Sequence, residues 1–371
     1  MNINIKKTCG AMNKISLCMI VRNEEKNIGQ CLEHAIPYVD EVIIVDTGST
    51  DNTIEICKNK NIDVYQIPWE NDFSKARNYS IGIAKYDWIL CLDADEEVII
   101  EDLTAFKESL TNDQELFYVQ MQHYVTHNLD NLNNSHISYH FRLFKKSTPL
   151  IYEGKIHERL HITEEMRYTI NNQIKINHFG YGKDDKNEKS IRNLSMLLDN
   201  WKNTPDNAWL NYHIASELFQ QNEISSAYKM INRAQRLSID DNCKPPSMFY
   251  KLKYELLLYA RTTENVLESL EKAILLYPDY IDLYFYKGII LERTGNYIDA
   301  INTFQYCMES NTVNFEYLYL VGVTSFLSSY HIHLCYTYLN MKKKANDEFE
   351  QIINKYPFFC NNLSTYENIY V

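Results

Sequence analysis

The chain has 371 residues, more than one core usually grows to, and its 45% hydrophobic and 23% charged content excludes disorder as a main theme. A net charge of -12 excludes a nucleic-acid backbone or an anionic membrane surface as the main partner, so an anionic ligand needs a local cation. No run approaches the roughly 18 to 20 apolar residues of a spanning helix, and no signal-like core is present, which predicts no membrane span and a cytoplasmic location.

Residues 1–13 carry no pattern and read as a leader, with Met12 as an alternative start. Ile15 to Val21 is a nearly continuous apolar run, followed by the polar Arg22-Asn23-Glu24 and a helical pattern through Ile28, Leu32 and Ala35. The unit recurs: Val42 to Val45 is apolar, Asp46-Thr47-Gly48-Ser49-Thr50-Asp51 is turn chemistry, and Ile54 to Lys58 starts a helix. A third strand is expected over Asp63 to Gln66 and a helix over Ser74 to Ala84. Trp88 to Leu92 then reads as a buried strand entering Asp93-Ala94-Asp95-Glu96-Glu97. Such alternation predicts an α/β domain with a mostly parallel, Rossmann-like sheet covered on both faces. Ligands of such sheets sit beyond the carboxyl ends of the strands. The clusters at Arg22, Asp46 and Asp93 all fall there.

From Leu116 to Phe144 the pattern stays strand-like. Beyond Asp185 amphipathic helices follow one another, so the domains are set at 14–184 and 185–357, with a tail at 358–371. Ala215, Ala227 and Ala234 are spaced 12 and 7 apart, and Gly288 and Ala300 repeat the first gap. Gly295 and Tyr297 sit at a turn, and Pro278 and Pro357 at helix ends. Val266 to Ala300 spans 34 residues, the tetratricopeptide period. The second domain is therefore all-α and tetratricopeptide-like, with an irregular helical domain as the competing reading. The nine cysteines are scattered singly through apolar runs and read as small buried hydrophobes. Tyr277, Tyr280, Tyr284, Phe285, Tyr286, Tyr317 and Tyr319 fit either helix-packing core or a groove for an extended peptide.

Asp93-Ala94-Asp95 is the sharpest chemical feature. Residues i and i+2 of an extended segment point to one side, so both carboxylates can face a hard cation such as Mg2+ or Mn2+. Capping of a helix near Asp102 is the competing use of such acids. The context is an ordered series: Ser16 to Glu24, Val45 to Asp51, Asp72-Phe73-Ser74-Lys75-Ala76-Arg77-Asn78, then Asp93 to Glu96. This series resembles the family 2 glycosyltransferases of GT-A fold, over roughly Ile15 to Gly182. The resemblance implies that Arg22, Asn23, Glu24 and Asp46 contact the nucleotide of a nucleotide-sugar donor, with Asp93 beside them. It also implies that Arg77 supports nucleotide or phosphates and that Asp95 is the main metal ligand. Many members carry two consecutive acidic residues where this chain has Asp46-Thr47. By its own chemistry, Arg77 can fork onto phosphate or carboxylate oxygens, and Asp46 can instead cap the turn at Gly48 and Ser49.

Tyr152 to Arg159 and Asn177 to Tyr181 resemble the G-x-x-H-E and H-x-G-Y segments of repeat-bearing members, including the sublancin-type peptide S-glycosyltransferases. Glu158 or His157 is the candidate base for the acceptor's proton, a salt bridge being the bland alternative for the pair. His178 is a candidate third metal ligand, or else a satisfied core histidine. The function expected is inverting, metal-dependent transfer of a sugar, from a UDP-sugar, to a peptide or protein held partly by the repeats. A cell-envelope glycan or lipid-linked sugar is the alternative acceptor, and a catalytically silent scaffold the alternative of another class. Homo-oligomerisation is left open.

Overall fold

A computed structural model of the chain describes residues 13–111, 113–124, 135–148, 151–180, 186–311, 313–361, 363 and 366. The leader before Asn13, the segment Tyr181-Gly182 and the expected boundary at 184/185 lie outside the described residues. The chain divides into two compact units, one built from residues up to 122 and from 139–178, the other from 123–138 and from 179 onward.

The elements of the first unit follow the apolar runs. They are β1 (Ile15–Val21), α1 (Ile28–Ala35), β2 (Glu41–Asp46), α2 (Thr53–Asn59), β3 (Val64–Gln66), α3 (Phe73–Ile83), β4 (Trp88–Cys91), β5 (Glu96–Ile99) and α4 (Leu103–Ser109). After them come β6 (Leu116–His123), β7 (His136–Lys145), β8 (Tyr152–Glu153), β9 (Arg159–Leu160) and β10 (Tyr168–His178). The main sheet has the order β3-β2-β1-β4-β7-β6-β10-β5, and β8 and β9 form a separate hairpin. A mostly parallel sheet is found only in the first four strands, because β7 runs antiparallel to β4 and β10 antiparallel to β5.

Alternate residues of each strand serve opposite faces. Leu17, Met19, Ile44 and Leu90 pack with Leu32, Ala35 and Phe106 of the helices on one side. Cys18, Ile43, Val45, Ile89 and Cys91 pack with Ile81 and Phe144 on the other. The near-continuous apolar runs are thus the signature of strands buried twice over. Both α3 and α4 start on an aspartate: Asp72 accepts from the Lys75 amide, and Asp102 from the amides of Thr104 and Ala105.

The second unit contains α5 (Lys186–Trp201), α6 (Ala208–Gln220), α7 (Ile224–Asp240), α8 (Ser247–Tyr259), α9 (Val266–Leu276), α10 (Ile281–Arg293) and α11 (Tyr297–Glu309). The chain continues through β11 (Tyr319–Leu320), α12 (Phe326–Tyr338), α13 (Lys342–Lys355) and α14 (Pro357–Asn361). Ala215, Ala227, Ala234, Gly288 and Ala300 are all buried where paired helices meet. One device ends the first helix of each pair: a left-handed residue, at Asn222, Arg261, Gly295 and Asn340. The next amide then reaches back five residues, as in Glu223 to Leu218, Thr262 to Leu257, Asn296 to Leu291 and Met341 to Tyr336.

Of the aromatic group, Tyr277, Tyr280, Phe285, Tyr286 and Tyr317 are buried in the core of this unit, and Tyr284 and Tyr319 are half-buried against it. Their hydroxyls are spent internally, Tyr277 on Pro245, Tyr280 on Leu318 and Tyr317 on Asp279. They are packing residues. Phe359 and Tyr366, assigned to the tail, are buried in the same core. The described residues 123–124 and 135–138 join this unit too, with His136 and Ile137 pairing antiparallel with β11.

Candidate active site

The ends of β1, β2 and β4 lie on one edge of the sheet because these strands are parallel and in register. Three loops leave that edge together. In the first, Asn23 takes a left-handed φ of 55°. Its amide donates to Ser49 Oγ (2.9 Å), and its Oδ1 accepts from the Thr50 amide (2.8 Å). The Glu24 amide donates to Thr53 Oγ1 at 2.7 Å, which laces the first loop to the second. Arg22 stands exposed with no side-chain partner among the described residues. Asp46 is wholly buried, and its Oδ2 accepts from the amides of Gly48 (3.0 Å) and Ser49 (3.1 Å). It forms an Asx turn, the capping role weighed for it, over a glycine whose φ of 105° suits no side chain.

The third loop follows β4. Asp93 is held from two sides: Arg77 Nη2 donates to its Oδ1 at 2.7 Å, and Arg142 Nη2 to its Oδ2 at 3.0 Å. Arg77, on α3, also donates through Nε to Glu158 Oε1 at 2.5 Å, and its guanidinium lies 5.5 Å from the centre of the Tyr152 ring. Burial works against the Arg77 charge, but Asp93 and Glu158 more than offset it and hold the guanidinium protonated. Burial likewise opposes ionisation of Asp93, and the two arginines overcome it, keeping the carboxyl well below the usual range.

Arg142 was missed in the sequence. It sits on β7, one residue before the Leu143 that pairs with Leu90, and so stands opposite the end of β4. Its Nη2 also donates to Glu96 Oε1 at 2.5 Å. Glu96 is 1% exposed, and burial pushes its carboxyl up to about 8 against the pull of Arg142. The signal available was a lone cation inside the apolar run Phe141-Arg142-Leu143-Phe144, which a buried strand accommodates only with an acidic partner.

Register places the remaining candidate. In the antiparallel β5–β10 pair His178 lies opposite Glu96, which brings its Nε2 to 3.6 Å from Asp95 Oδ1. Of the three residues named for a metal, Asp95 and His178 therefore face each other, whereas Asp93 is committed to the arginines. Among the described residues no group of three or more His, Cys, Asp or Glu is arranged around a metal position. The pair still fits a divalent cation as a two-donor platform, an oxygen and an imidazole nitrogen, with further ligands supplied by a bound molecule. Even without Glu96, the carboxylates of Asp93, Asp95 and Glu158 outnumber the guanidinium groups of Arg77 and Arg142, so the cluster is acidic enough to favour one.

The β8–β9 hairpin carries the other two candidates. Asn78 on α3 grips it like a strand: its Nδ2 donates to Tyr152 O (2.9 Å) and its Oδ1 accepts from the Tyr152 amide (2.8 Å). Phe73, at the start of α3, donates its amide to Lys155 O at 2.9 Å. Glu158 is thereby aimed at Arg77, and His157 is left exposed with a left-handed φ of 53°.

Residues 16–179, which span this whole arrangement, match the model of Glycosyl transferase family 2. The chain carries a family 2 glycosyltransferase domain. A TPR repeat-containing protein of Synechococcus elongatus is 30% identical over 261 residues, 68% of this chain and 62% of that protein. The SPbeta prophage-derived glycosyltransferase SunS of Bacillus subtilis is 28% identical over 209 residues, 55% of this chain and 47% of that protein. The chain thus spans less than two thirds of the length of either relative. Among solved structures, MamA of Desulfovibrio magneticus is similar at 14% identity, with a TM-score of 0.37 over 44% of this chain and 84% of that one. So distant a likeness bears on no question of function. In the glycosyltransferase domain the loops at Arg22 and Asp46, the clamped Asp93 and the Asp95–His178 pair share one strand-end edge, where this class of sheet binds its ligands.

Proposed function

We propose that the chain is an inverting, divalent-cation-dependent glycosyltransferase that moves a sugar from a nucleotide donor, a UDP-sugar, to a side chain of a peptide or protein. The observation that carries the proposal is the Asp95–His178 pair at 3.6 Å, beside an aspartate clamped by two arginines, inside the family 2 domain. Asp95 and His178 would hold Mg2+ or Mn2+, which supplies charge neutralisation to a departing diphosphate. The laced loops at Arg22 to Glu24 and Asp46 to Asp51 bind and orient the nucleotide, with Arg22 as the exposed cation. Arg77, preset by Asp93 and Glu158, presents its remaining N–H groups toward the phosphates.

On the acceptor side the choice between the two candidate bases becomes physical. Glu158 is already engaged by a charge-assisted hydrogen bond from Arg77. His157 is exposed and sits in a backbone conformation that costs a residue with a Cβ about 1 kcal/mol. Desolvation lowers the His157 imidazole from its ordinary value, which leaves it neutral and able to accept a proton; in this reading His157 takes the acceptor's proton and Glu158 orients Arg77. A thiol acceptor, with a reference pKa of about 8.5, asks least of such a base. The resemblance of Tyr152 to Arg159 and Asn177 to Tyr181 to segments of peptide S-glycosyltransferases supports a peptide acceptor.

The test measures donor hydrolysis and transfer with Mn2+ or Mg2+ for the wild type, Asp95→Ala, His157→Ala and Glu158→Gln. Transfer is expected to collapse in Asp95→Ala, and to fall about 100-fold or more in His157→Ala. Equal turnover of Asp95→Ala and wild type removes the cation from the mechanism. A His157→Ala enzyme with unaltered transfer returns the base to Glu158.

A further inference from the structure

We infer that Arg142 is the positioning residue that shapes the cation platform, by locking the turn from Asp93 to Glu96 so that Asp95 is presented to His178. The inference deepens the proposed function and rests on its use of Asp95 and His178. Four bonds define the lock. The Glu96 amide donates to Asp93 O at 3.2 Å, and the Asp93 amide donates to Glu96 Oε2 at 2.9 Å, so the turn is closed by its own two ends. Arg142 Nη2 sits between the two side chains, at 3.0 Å from Asp93 Oδ2 and 2.5 Å from Glu96 Oε1, and so bridges the two ends of the turn.

The consequence falls on the residue between. Asp95 belongs to the closed turn, and β5 begins at Glu96, whose partner in β10 is His178. Fixing Asp93 and Glu96 fixes both ends of the segment that carries Asp95, so the 3.6 Å approach to His178 is set by a residue touching neither. Arg77 does not duplicate this service, because it reaches Asp93 and Glu158 but not Glu96. A guanidinium suits the task better than an ammonium: its planar fork fixes direction as well as charge.

The experiment titrates the full-length chain with Mn2+ alone, followed by electron paramagnetic resonance, and in parallel measures amide hydrogen exchange of residues 93–97 without metal. The proteins compared are wild type, Arg142→Gln, Arg142→Lys and the charge-balanced pair Arg142→Gln with Glu96→Gln. Supporting partners of metal ligands typically affect affinity by about 10- to 100-fold, and Arg142→Gln is expected to weaken Mn2+ binding by that factor while speeding exchange at Asp93 and Glu96. Arg142→Lys, which keeps the charge and loses the fork, recovers only part of both. If Arg142→Gln does not fold, the charge-balanced pair is read in its place, with the same two changes expected. Folded variants that bind Mn2+ as tightly as wild type, with unchanged exchange, overturn the inference. Wild type that binds no Mn2+ overturns the cation proposal instead, and the exchange comparison then judges Arg142 by itself.

Discussion

Asn78 shows how much of this site is held by side chains that do no chemistry. Its amide makes a reciprocal pair with the backbone of Tyr152 and so fastens the β8–β9 hairpin, with His157 and Glu158, to the helix that carries Arg77. Asn78→Asp keeps the shape but replaces the donor with a second carboxylate oxygen facing a carbonyl, at an expected cost of about 1 to 3 kcal/mol for the unmade bond. Urea unfolding measures that cost, and faster amide exchange over 152–158 locates it. An unchanged midpoint and unchanged exchange mean that the hairpin is held by other contacts. Asp95, His178, Arg77 and the His157–Glu158 pair were named from the sequence because each sits in a short local motif. Arg142 was not, for its partners lie 49 and 46 positions away and only the β4–β7 register brings them together. Nor could spacing tell that Asp93 would spend both oxygens on arginines while Asp95 turned to the histidine.

At the scale of elements, the strands announced themselves through apolar runs, and the predicted limits of β3, β4 and α3 differ from the observed ones by a residue. Direction was less legible, because an apolar run is the same read either way, and the antiparallel half of the sheet follows from connections that composition does not encode. The helical pairs were legible through small residues, and two glycines of one pair separate the reasons for them. At Gly288 an added Cβ would stand 2.5 Å from the Phe304 ring of the next helix. At Gly295 nothing lies within 4 Å, but φ is 81°. Gly288→Ala is therefore an overpacking change, expected to cost about 1 to 3 kcal/mol. Gly295→Ala is a backbone change, expected to cost about 1 kcal/mol. Compensation distinguishes them: adding Phe304→Leu should recover stability in Gly288→Ala and none in Gly295→Ala, as read by urea midpoints. Equal recovery in both would show that the turn and the helix contact are not independent.

For the molecule as a whole, the division into a sheet unit and a helical unit was legible from the disappearance of strand patterns. What was not legible is that the described residues at the end of β6 and the start of β7, 123–124 and 135–138, group with the helical unit. The reason is a buried polar network that no local pattern marks. Lys251 Nζ donates to Asp282 Oδ2 (2.6 Å) and Tyr286 OH (2.9 Å) and pairs with Glu255 Oε1 (3.1 Å). His136 Nε2 lies 3.7 Å from the same Glu255 oxygen, and the Leu320 amide of β11 donates to Asp282 Oδ2 at 2.8 Å. Burial works against the charge of Glu255, but Lys251 and then His136 and Tyr286 hold its carboxyl down at about 2. Its contribution to stability is therefore complete above the ordinary carboxyl range near 4.5 and is lost as pH falls from there toward 2. Asp282 acts in the opposite sense, since burial raises its carboxyl despite Lys251, so the wild-type curve alone mixes two signs. Comparison with Glu255→Gln isolates the first. The wild type should lose, relative to that variant, on the order of 2 kcal/mol of helical-unit stability between pH 4.5 and pH 2. Urea unfolding followed by helical circular dichroism at several pH values measures the difference, and parallel curves for the two proteins would mean that Glu255 contributes nothing to holding His136 and β11 in this unit.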